Sequence, residues 1–372
     1  MKNLNFLIKP ASGLCNMRCR YCFYEEEVSS RENGAGGVMS PETAQALIRG
    51  AFDAAGKGSE VSFAFQGGEP TLAGLPFFYV FTELVKKYNT AHIPVHYAIQ
   101  TNGLSLSPEW AGFFKREHFL TGISLDGSQT IHDALRPDAN GGATWERIRK
   151  NVILLQDAQV DINILTVVTK RLAKHPERIY RSLKETGVSH LQFIPCLDPM
   201  ESPRGQQAWS LSPDDYGHFL CGLFDAWYED WTAGRYVSVR LFDDYVYLAM
   251  GQPAGTCSTS GSCGAYLVVE SDGSVYPCDF YCLDSWKLGN IRDSAPRELL
   301  RSEKEQAFLR EGMVHPAECA RCRWRRLCFG GCRRDWIHDE TGTHHYYCSS
   351  FRRFFTFASD RIFRIAAELR RG

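Results

Sequence analysis

The chain has 372 residues, of which 44% are hydrophobic and 23% charged, as in an ordinary globular protein. Its net charge of −1 gives no support for nucleic acid or an anionic membrane as the main partner, and no segment approaches the length of an apolar membrane span. A chain of this length folds without disulfides, so its fourteen cysteines call for another role. We predict a cytoplasmic protein, where disulfides rarely persist and cysteines serve metal binding or catalysis.

Short apolar runs alternate with amphipathic stretches over the first 235 residues. The runs are rich in Val, Ile, Phe and Tyr, which favours strands buried on both faces, and strand–helix repeats imply a parallel sheet with right-handed crossovers. Prolines at 41, 108, 176 and 213 mark helix starts, two of them after the capping residues Ser40 and Ser212. Six repeats rather than eight predict an incomplete α/β barrel, open on one side. The predicted strands are residues 4–9, 61–66, 95–100, 121–125, 160–168 and 190–196.

The pattern changes after about residue 235, which predicts one domain over residues 1–235 and a second over 236–372. Residues 267–270 and 274–276 flank Ser271-Asp272-Gly273, a favourable hairpin turn. A helix is predicted over residues 296–311 and a cysteine-dense, nearly structureless stretch over 315–348. An apolar-striped helix is predicted over residues 351–369.

Cys15, Cys19 and Cys22 form a C-x3-C-x2-C loop directly after the first predicted strand. Three thiolates can hold three irons of a 4Fe–4S cube and leave the fourth iron open. The alternatives are a zinc loop with a distant fourth ligand or a chance cluster. The position favours the iron–sulfur interpretation, because the active sites of barrels lie at the carboxyl ends of their strands.

Residues 15–22, Cys-Asn-Met-Arg-Cys-Arg-Tyr-Cys, resemble the signature of the radical S-adenosylmethionine (SAM) enzymes. The resemblance implies that SAM chelates the open iron and is cleaved to a 5′-deoxyadenosyl radical. Residues 66–70, Gln-Gly-Gly-Glu-Pro, are similar to the family's GGEP motif at the SAM amino group, although a tight glycine turn would also explain them. For Arg136, a solvated loop cation is the alternative. The resemblance assigns SAM contacts to Tyr21, Gly67, Gly68, Glu69, Ser124, Arg136 and Leu197.

Eight further cysteines have spacings that suit metal binding. From residue 257 the pattern is C-x5-C-x9-G-x4-C, and from residue 319 it is C-x2-C-x5-C-x3-C followed by one more cysteine at 348. Eight thiolates can close two cubes with no iron left open. Two four-cysteine zinc ribbons are the alternative, since C-x2-C is also a zinc spacing.

This spacing resembles the SPASM domain, which follows the barrel in many radical SAM enzymes. The resemblance implies three 4Fe–4S clusters in all. Auxiliary cluster I would be held by Cys257, Cys263, Cys278 and Cys332, and auxiliary cluster II by Cys319, Cys322, Cys328 and Cys348. The remaining Cys196, Cys221 and Cys282 are predicted to be packing residues, although Cys282 could be a redox bystander near cluster I.

Almost the whole chain resembles the anaerobic sulfatase-maturating enzymes, with matching stretches at residues 7–12, 62–75, 269–281 and 330–334. The resemblance implies oxidation of a Cys or Ser in a Cys/Ser-x-Pro-x-Arg segment of a sulfatase polypeptide to Cα-formylglycine. Asp279 would be the general base for the substrate thiol or hydroxyl, although a turn-forming surface aspartate is the alternative. A low-potential reductant such as flavodoxin or ferredoxin would be the electron source.

Two other functions remain open at this point. Another SPASM peptide-modifying enzyme, which forms a thioether or carbon–carbon crosslink, is the nearest alternative. A non-catalytic electron carrier or zinc-binding module is the more distant one. The sequence leaves open the choice between Cys and Ser substrates, the sulfatase served, the reductant and the oligomeric state.

Overall fold

The computed structural model describes residues 3–32, 36–200 and 202–371. Its contacts divide the chain into two compact units. The first unit contains Met1–Leu125, Asp133–Asn163 and Ala265–Phe308, and the second contains Asp126–His132, Ile164–Gly264 and Leu309–Gly372. The domain boundary at residue 235 stays a prediction. Among the described helices, none is both long and apolar enough to cross a membrane.

All six predicted strands of the N-terminal part are present, with ends shifted by at most two residues. The predicted hairpin is also present, as β8 and β9. The strands are β1 Asn3–Lys9, β2 Glu60–Phe65, β3 Val95–Thr101, β4 Phe119–Ser124, β5 Asp161–Val168, β6 His190–Pro195, β7 Ser238–Val239, β8 Leu267–Glu270, β9 Ser274–Tyr276, β10 Gly289–Asn290, β11 Trp336–Asp339 and β12 Gly342–His345.

Helices begin at each of the four prolines that mark predicted starts. Ser40 Oγ accepts the Thr43 N–H at 3.2 Å, and Ser212 Oγ accepts the Asp215 N–H at 3.1 Å, so both predicted caps are confirmed. The helices are α1 Phe23–Ser29, α2 Pro41–Ala54, α3 Leu75–Tyr88, α4 Pro108–Arg116, α5 Gln129–Leu135, α6 Trp145–Asp157, α7 Lys170–Ala173, α8 Pro176–Lys184, α9 Pro213–Thr232, α10 Arg240–Ala249, α11 Pro296–Leu299, α12 Glu303–Glu311, α13 Arg325–Cys328 and α14 Cys348–Leu369.

The first unit is built on a mixed sheet in the order β10-β9-β8-β1-β2-β3-β4. Strands β1 to β4 are parallel neighbours, β8 is parallel to β1, and β8, β9 and β10 are antiparallel. Phenylalanines of β2 and α3 fill one face: the ring of Phe65 lies 4.9 Å from that of Phe78 and 5.0 Å from that of Phe81. The parallel register brings the carboxyl ends of β1 to β4 to one edge of the sheet.

The second unit contains β6 between β5 and β7, all parallel, with β5 contributing from Ile164 onward. Helix α14 packs on α9 and α10, where the buried ring of Phe354 lies 5.6 Å from Phe224 and 5.7 Å from Phe242. The apolar stripe predicted for the C-terminal helix is therefore packed against α9 and α10.

Two predictions for the C-terminal part are wrong in detail. The helix over residues 296–311 is two helices, because Ser302 Oγ accepts the Glu305 N–H at 3.2 Å and begins α12 afresh. The stretch over residues 315–348 is not structureless: it contains the antiparallel pair β11–β12, α13 and two 3₁₀ turns. The last helix begins at Cys348, three residues earlier than predicted.

Candidate functional site

The loop with Cys15, Cys19 and Cys22 follows β1 and is held by main-chain hydrogen bonds of the first unit. Arg18 N–H donates to the Pro137 carbonyl and Arg20 N–H to the Leu135 carbonyl, both at 2.9 Å. Two donors point at Cys15 Sγ, the Met17 N–H at 3.4 Å and the Asn102 amide at 3.9 Å. Cys15 and Cys19 are partly buried and Cys22 is exposed. The loop is thus fixed in shape while its thiols remain accessible to a cluster.

The two glycines of the GGEP segment allow β2 to end against this loop. Gly68 N–H donates to the Ser12 carbonyl at 2.8 Å, and a Cβ at Gly68 would overlap the Leu14 carbonyl oxygen. Gly67 has a φ of +138°, which side-chain-bearing residues rarely adopt. Both positions therefore require glycine for steric reasons that do not depend on any cofactor. Their contact with SAM stays a prediction.

Glu69 is fully buried, and its carboxylate joins the ends of β2 and β3. Oε1 accepts the Thr71 N–H at 3.0 Å and the Thr71 and Thr101 hydroxyls at 2.7 Å each, while Oε2 accepts the Asn102 N–H at 2.7 Å. Burial raises the pKa of Glu69, and these hydrogen bonds act in the opposite direction. The carboxylate holds the loop after β3, and its predicted SAM contact remains untested.

The other predicted SAM contacts fall in both units. Arg136 is 6% exposed and donates to the Tyr21 hydroxyl at 2.7 Å, so the solvated-cation alternative for Arg136 is wrong. Ser124, at the end of β4, accepts the Gln100 amide at 3.0 Å. These residues belong to the first unit, whereas Leu197 belongs to the second. Their roles in SAM binding stay predictions.

Asp279 is 5% exposed, so it is not a turn-forming surface aspartate. Its Oδ1 accepts from Lys9 Nζ at 2.5 Å and its Oδ2 from Gln66 Nε2 at 2.7 Å. Its N–H donates to the Tyr266 hydroxyl at 3.1 Å, and that hydroxyl lies 3.5 Å from Cys278 Sγ. The carboxylate is therefore fixed at both oxygens, beside a predicted cluster ligand.

Lys9 is the residue at this site that sequence reasoning missed. It ends β1, is 1% exposed, and its ammonium lies 3.6 Å from the centre of the Tyr24 ring. Burial, the largest single cause, lowers the pKa of Lys9. Asp279 and the neighbouring Tyr24, Cys282 and Glu270 together outweigh it, and the net pKa is raised well above the ordinary lysine value. The available signal was Lys9 itself, a charged residue at the end of an otherwise apolar predicted strand. Lysine is almost never fully buried unless it is paired with an opposite charge.

A second buried ion pair lies beside the first. Arg31 Nη1 contacts Glu270 Oε1 at 2.6 Å, and the Tyr24 hydroxyl donates to the same oxygen at 2.5 Å. Because β8 pairs with β1, Glu270 stands opposite Lys9 in the strand register. The carboxylates of Asp279 and Glu270 thus each have a cation, as buried charges require.

The second unit brings four of the predicted cluster ligands to one cavity. Cys319, Cys322, Cys328 and Cys348 line a space of about 470 Å³ that is partly open to solvent. Burial raises the pKa of Cys319 to about 11 and that of Cys328 to about 12, so their ligation as thiolates needs the positive charge of a metal. Four thiols around a space rather than a point suit a cube of iron and sulfide. The described residues contain no group of three His, Cys, Asp or Glu arranged around a single metal ion.

The predicted ligands of auxiliary cluster I are divided between the units. Cys257, Cys263 and Cys332 belong to the second unit and Cys278 to the first, so their grouping stays a prediction. The sulfur of Cys263 packs against Gly312, and a Cβ at Gly312 would overlap this sulfur. Among the remaining cysteines, Cys196 and Cys282 are buried and Cys221 is half-buried on α9.

Comparison with known proteins identifies the family of the chain. Residues 10–187 match the model of the radical SAM superfamily, and residues 262–323 match that of an iron–sulfur cluster-binding domain. A cysteine-type anaerobic sulfatase-maturating enzyme of Clostridium novyi is 45% identical over 95% of both chains. The chain belongs to the anaerobic sulfatase-maturating enzymes.

Other members of the family show how close the relation is. A serine-type anaerobic sulfatase-maturating enzyme of Klebsiella pneumoniae is 30% identical, over 95% of this chain and 86% of its own. A solved structure, native anSMEcpe with bound AdoMet and the Cp18Cys peptide, superposes with a TM-score of 0.92 at 40% identity and covers 99% of both chains.

Membership confirms the predicted fold, a partial radical SAM barrel followed by a SPASM domain, and the predicted enzyme class. An anaerobic sulfatase-maturating enzyme uses 4Fe–4S clusters and SAM, and the cysteine-rich segments of this chain suit three clusters. The non-catalytic electron carrier and the zinc-binding module are therefore wrong as alternatives.

Proposed function

We propose that this enzyme oxidises a cysteine of a sulfatase polypeptide, in a Cys-x-Pro-x-Arg segment, to Cα-formylglycine. The carrying observation is the buried Asp279 carboxylate, fixed by Lys9 and Gln66 beside Cys278. The higher identity to the cysteine-type relative, 45% against 30% for the serine-type one, favours a thiol substrate.

The proposal assigns each cofactor to residues of this chain. Cys15, Cys19 and Cys22 hold the cluster that binds SAM. Auxiliary cluster II is held by the four cysteines of the cavity in the second unit, and auxiliary cluster I by Cys257, Cys263, Cys278 and Cys332. The SAM pocket contains Tyr21, Gly67, Gly68, Glu69, Ser124, Arg136 and Leu197.

When bound, the clusters and SAM supply the 5′-deoxyadenosyl radical that takes a hydrogen atom from the substrate Cβ and an acceptor for one further electron. Asp279 takes the proton of the substrate thiol, so the substrate loses a hydrogen atom, a proton and an electron in total. The product is a thioaldehyde, which water hydrolyses to the aldehyde with release of hydrogen sulfide. Lys9 and Gln66 keep the carboxylate oriented, which a general base requires.

The test uses two peptides that differ only in Cys or Ser at the modified position. Each is incubated anaerobically with the reconstituted enzyme, SAM and dithionite, and the products are identified by mass spectrometry. We expect formylglycine from both or from the cysteine peptide alone, with the cysteine peptide faster. A thioether or carbon–carbon crosslink, or an unmodified peptide beside continuing SAM cleavage, would contradict the proposal.

Asp279→Asn tests the proposed base. The variant retains the size and one acceptor of the side chain but removes the proton-accepting carboxylate, so we expect formylglycine formation to fall by roughly a hundredfold or more. Formation of 5′-deoxyadenosine should continue, which separates loss of the base from loss of the clusters. Asp293→Asn, at an exposed position of the same unit, is the control and should retain the full rate. Full conversion by Asp279→Asn would exclude the assigned role.

For the reductant we propose a low-potential electron carrier such as flavodoxin or ferredoxin. Residues 319–334 contain six arginines and no acidic residue, and Arg321, Arg323, Arg325 and Arg326 are exposed. This basic segment would attract an acidic carrier to the neighbourhood of cluster II. Arg321→Glu combined with Arg326→Glu should slow turnover driven by flavodoxin and leave turnover driven by dithionite unchanged. Equal rates with flavodoxin would exclude this surface.

We also propose that the enzyme acts in the cytoplasm. All fourteen cysteines are free thiols, and a reducing compartment keeps them available for cluster assembly. Fractionation of cells with an antibody to the chain would test this, and recovery outside the cytoplasm would contradict it.

A further inference from the structure

A histidine at the cluster II cavity has one ring nitrogen in a hydrogen bond and the other without a hydrogen-bond partner among the described residues. His345 ends β12, is 6% exposed, and lines the cavity together with Cys319, Cys322, Cys328 and Cys348. Its ring is held between neighbours of the second unit: the ring centre of Phe351 lies 5.5 Å away and that of Tyr347 6.3 Å away. The orientation of the imidazole is therefore fixed by packing.

The hydrogen bond at Nδ1 determines which nitrogen carries the proton. Tyr347 N–H donates to His345 Nδ1 at 3.0 Å, so Nδ1 is an acceptor and carries no hydrogen. An imidazolium carries hydrogen on both nitrogens, so a ring that accepts at Nδ1 is neutral. The single ring proton of this tautomer is consequently on Nε2.

Nε2 is buried and has no hydrogen-bond partner among the described residues. A buried N–H without an acceptor is costly, and native proteins rarely retain one. Gly331, with a φ of +67°, lies directly against this atom, and a Cβ there would overlap Nε2. The donor thus requires an acceptor that the described part of the chain does not supply.

We propose that His345 Nε2–H donates a hydrogen bond to auxiliary cluster II, at a sulfide or a ligand sulfur, and raises the reduction potential of that cluster. This inference rests on the proposed ligand set of cluster II. A donor to sulfur stabilises the more negative, reduced state of a cluster, because it offsets part of the added charge. His345 is then a positioning and tuning residue, without contact to the substrate.

Two substitutions at this residue separate the donor from the packing role. In His345→Asn the amide reaches only the Nδ1 position, so the acceptor for Tyr347 N–H is kept and the donor to the cluster is lost. In His345→Gln the amide reaches the Nε2 position, so the donor is kept and the acceptor for Tyr347 is lost. His338→Asn, at an exposed position of β11, is the matched control.

The readout is a redox titration of the reconstituted holoenzyme followed by electron paramagnetic resonance. We expect one cluster potential to move to a lower value in His345→Asn, to stay close to the wild-type value in His345→Gln, and all potentials to be unchanged in His338→Asn. Unchanged potentials in His345→Asn would overturn the proposal. Equal shifts in His345→Asn and His345→Gln would also overturn it, because they would indicate packing alone.

A measurement on the wild-type holoenzyme covers the case in which the variants fail to assemble. Pulsed paramagnetic resonance of reduced enzyme labelled with ¹⁵N-histidine should show a histidine nitrogen coupled to one cluster. Absence of that coupling would mean that a buried water or another group accepts from Nε2, and the proposal would fail. Formylglycine production by the same preparation reports separately on the proposed function.

Discussion

At the scale of residues, two buried carboxylates of the first unit are stabilised in different ways. Glu69 accepts from neutral donors of the loops after β2 and β3. Asp279 is paired with the ammonium of Lys9 and with the amide of Gln66. Glu69 thus joins two loops through neutral donors, whereas the buried charge of Asp279 is balanced by a cation.

Gly68→Ala should disrupt the junction between β2 and the Cys15 loop. The added Cβ would overlap the Leu14 carbonyl oxygen, which is backbone and cannot rotate away. We therefore expect formation of 5′-deoxyadenosine from SAM to be lost and the thermal unfolding temperature to fall. Gly112→Ala, within α4, meets no atom within 4 Å and should be neutral or stabilise by up to about 1 kcal/mol. Full SAM cleavage by Gly68→Ala would contradict the steric reason.

Side-chain identity at the site was predictable from motifs, but the pairing of residues was not. Asp279 and the loop cysteines stand out by their spacing and neighbours in sequence. Lys9 and Asp279 are 270 positions apart, and their contact depends on β8 pairing with β1, which no local pattern encodes. The alternatives for Asp279 and Arg136 as surface residues failed for the same reason, since burial follows from tertiary structure.

At the scale of elements, the short polar strands were hard to predict and the long apolar ones were not. Strands β1 to β6 have apolar side chains that must be buried, and their pattern identified them. Strands β11 and β12 are short and mostly polar, and only one of their residues is buried, so hydrophobic periodicity gives no signal for them. The break before α12 did have a local signal, because Ser302 followed three residues later by Glu305 has the spacing of a capping box.

Helix α12 contains a buried acid that should make stability depend on pH. Glu305 is fully buried, both of its carboxylate oxygens lack hydrogen-bond partners among the described residues, and burial raises its pKa to about 7. A raised pKa favours the protonated form in the folded state. The protonated Glu305 therefore makes its full contribution to the free energy of unfolding below the unfolded-state pKa of about 4.3. This contribution is lost as pH rises through about 7.

Glu305→Gln should remove this pH dependence. We expect the variant to match the wild type near pH 4 and to exceed its unfolding free energy at pH 8 by up to about 3 kcal/mol. Thermal unfolding under anaerobic conditions at several pH values measures the difference. Glu303→Gln, an exposed position of the same helix, should follow the wild type at every pH. A Glu305→Gln curve parallel to the wild-type curve would show that the acid is not desolvated.

At the scale of the whole molecule, the fourteen cysteines are predicted to divide into eleven ligands and three packing residues. The spacing predicted this partition, and the cavity of the second unit brings one complete set of four together. The sequence could not predict that cysteines close together in one segment lie in different compact units. Cys278 is grouped with the strands of the first unit, although the other predicted auxiliary ligands belong to the second.

Cys328→Ala should remove one cluster and leave the others. Three cubes correspond to about twelve irons per chain, and we expect the variant to hold about eight. Cys221→Ala, on α9 outside the predicted ligand sets, should retain the wild-type iron content. Iron analysis of anaerobically reconstituted protein gives the result. A wild-type iron content in Cys328→Ala would exclude that cysteine as a ligand.

The parallel pairing of β8 with β1 sets where this enzyme can be recombined with its relatives. The strand that precedes the Cys15 loop lies beside the hairpin that precedes Asp279, at the ordinary strand separation of about 4.8 Å. A chimera joined at residue 235 would take the two strands from different parents and would have to recreate their register. A crossover placed after Phe308, where the first unit ends, would inherit the strands together and would exchange only the remaining C-terminal segment.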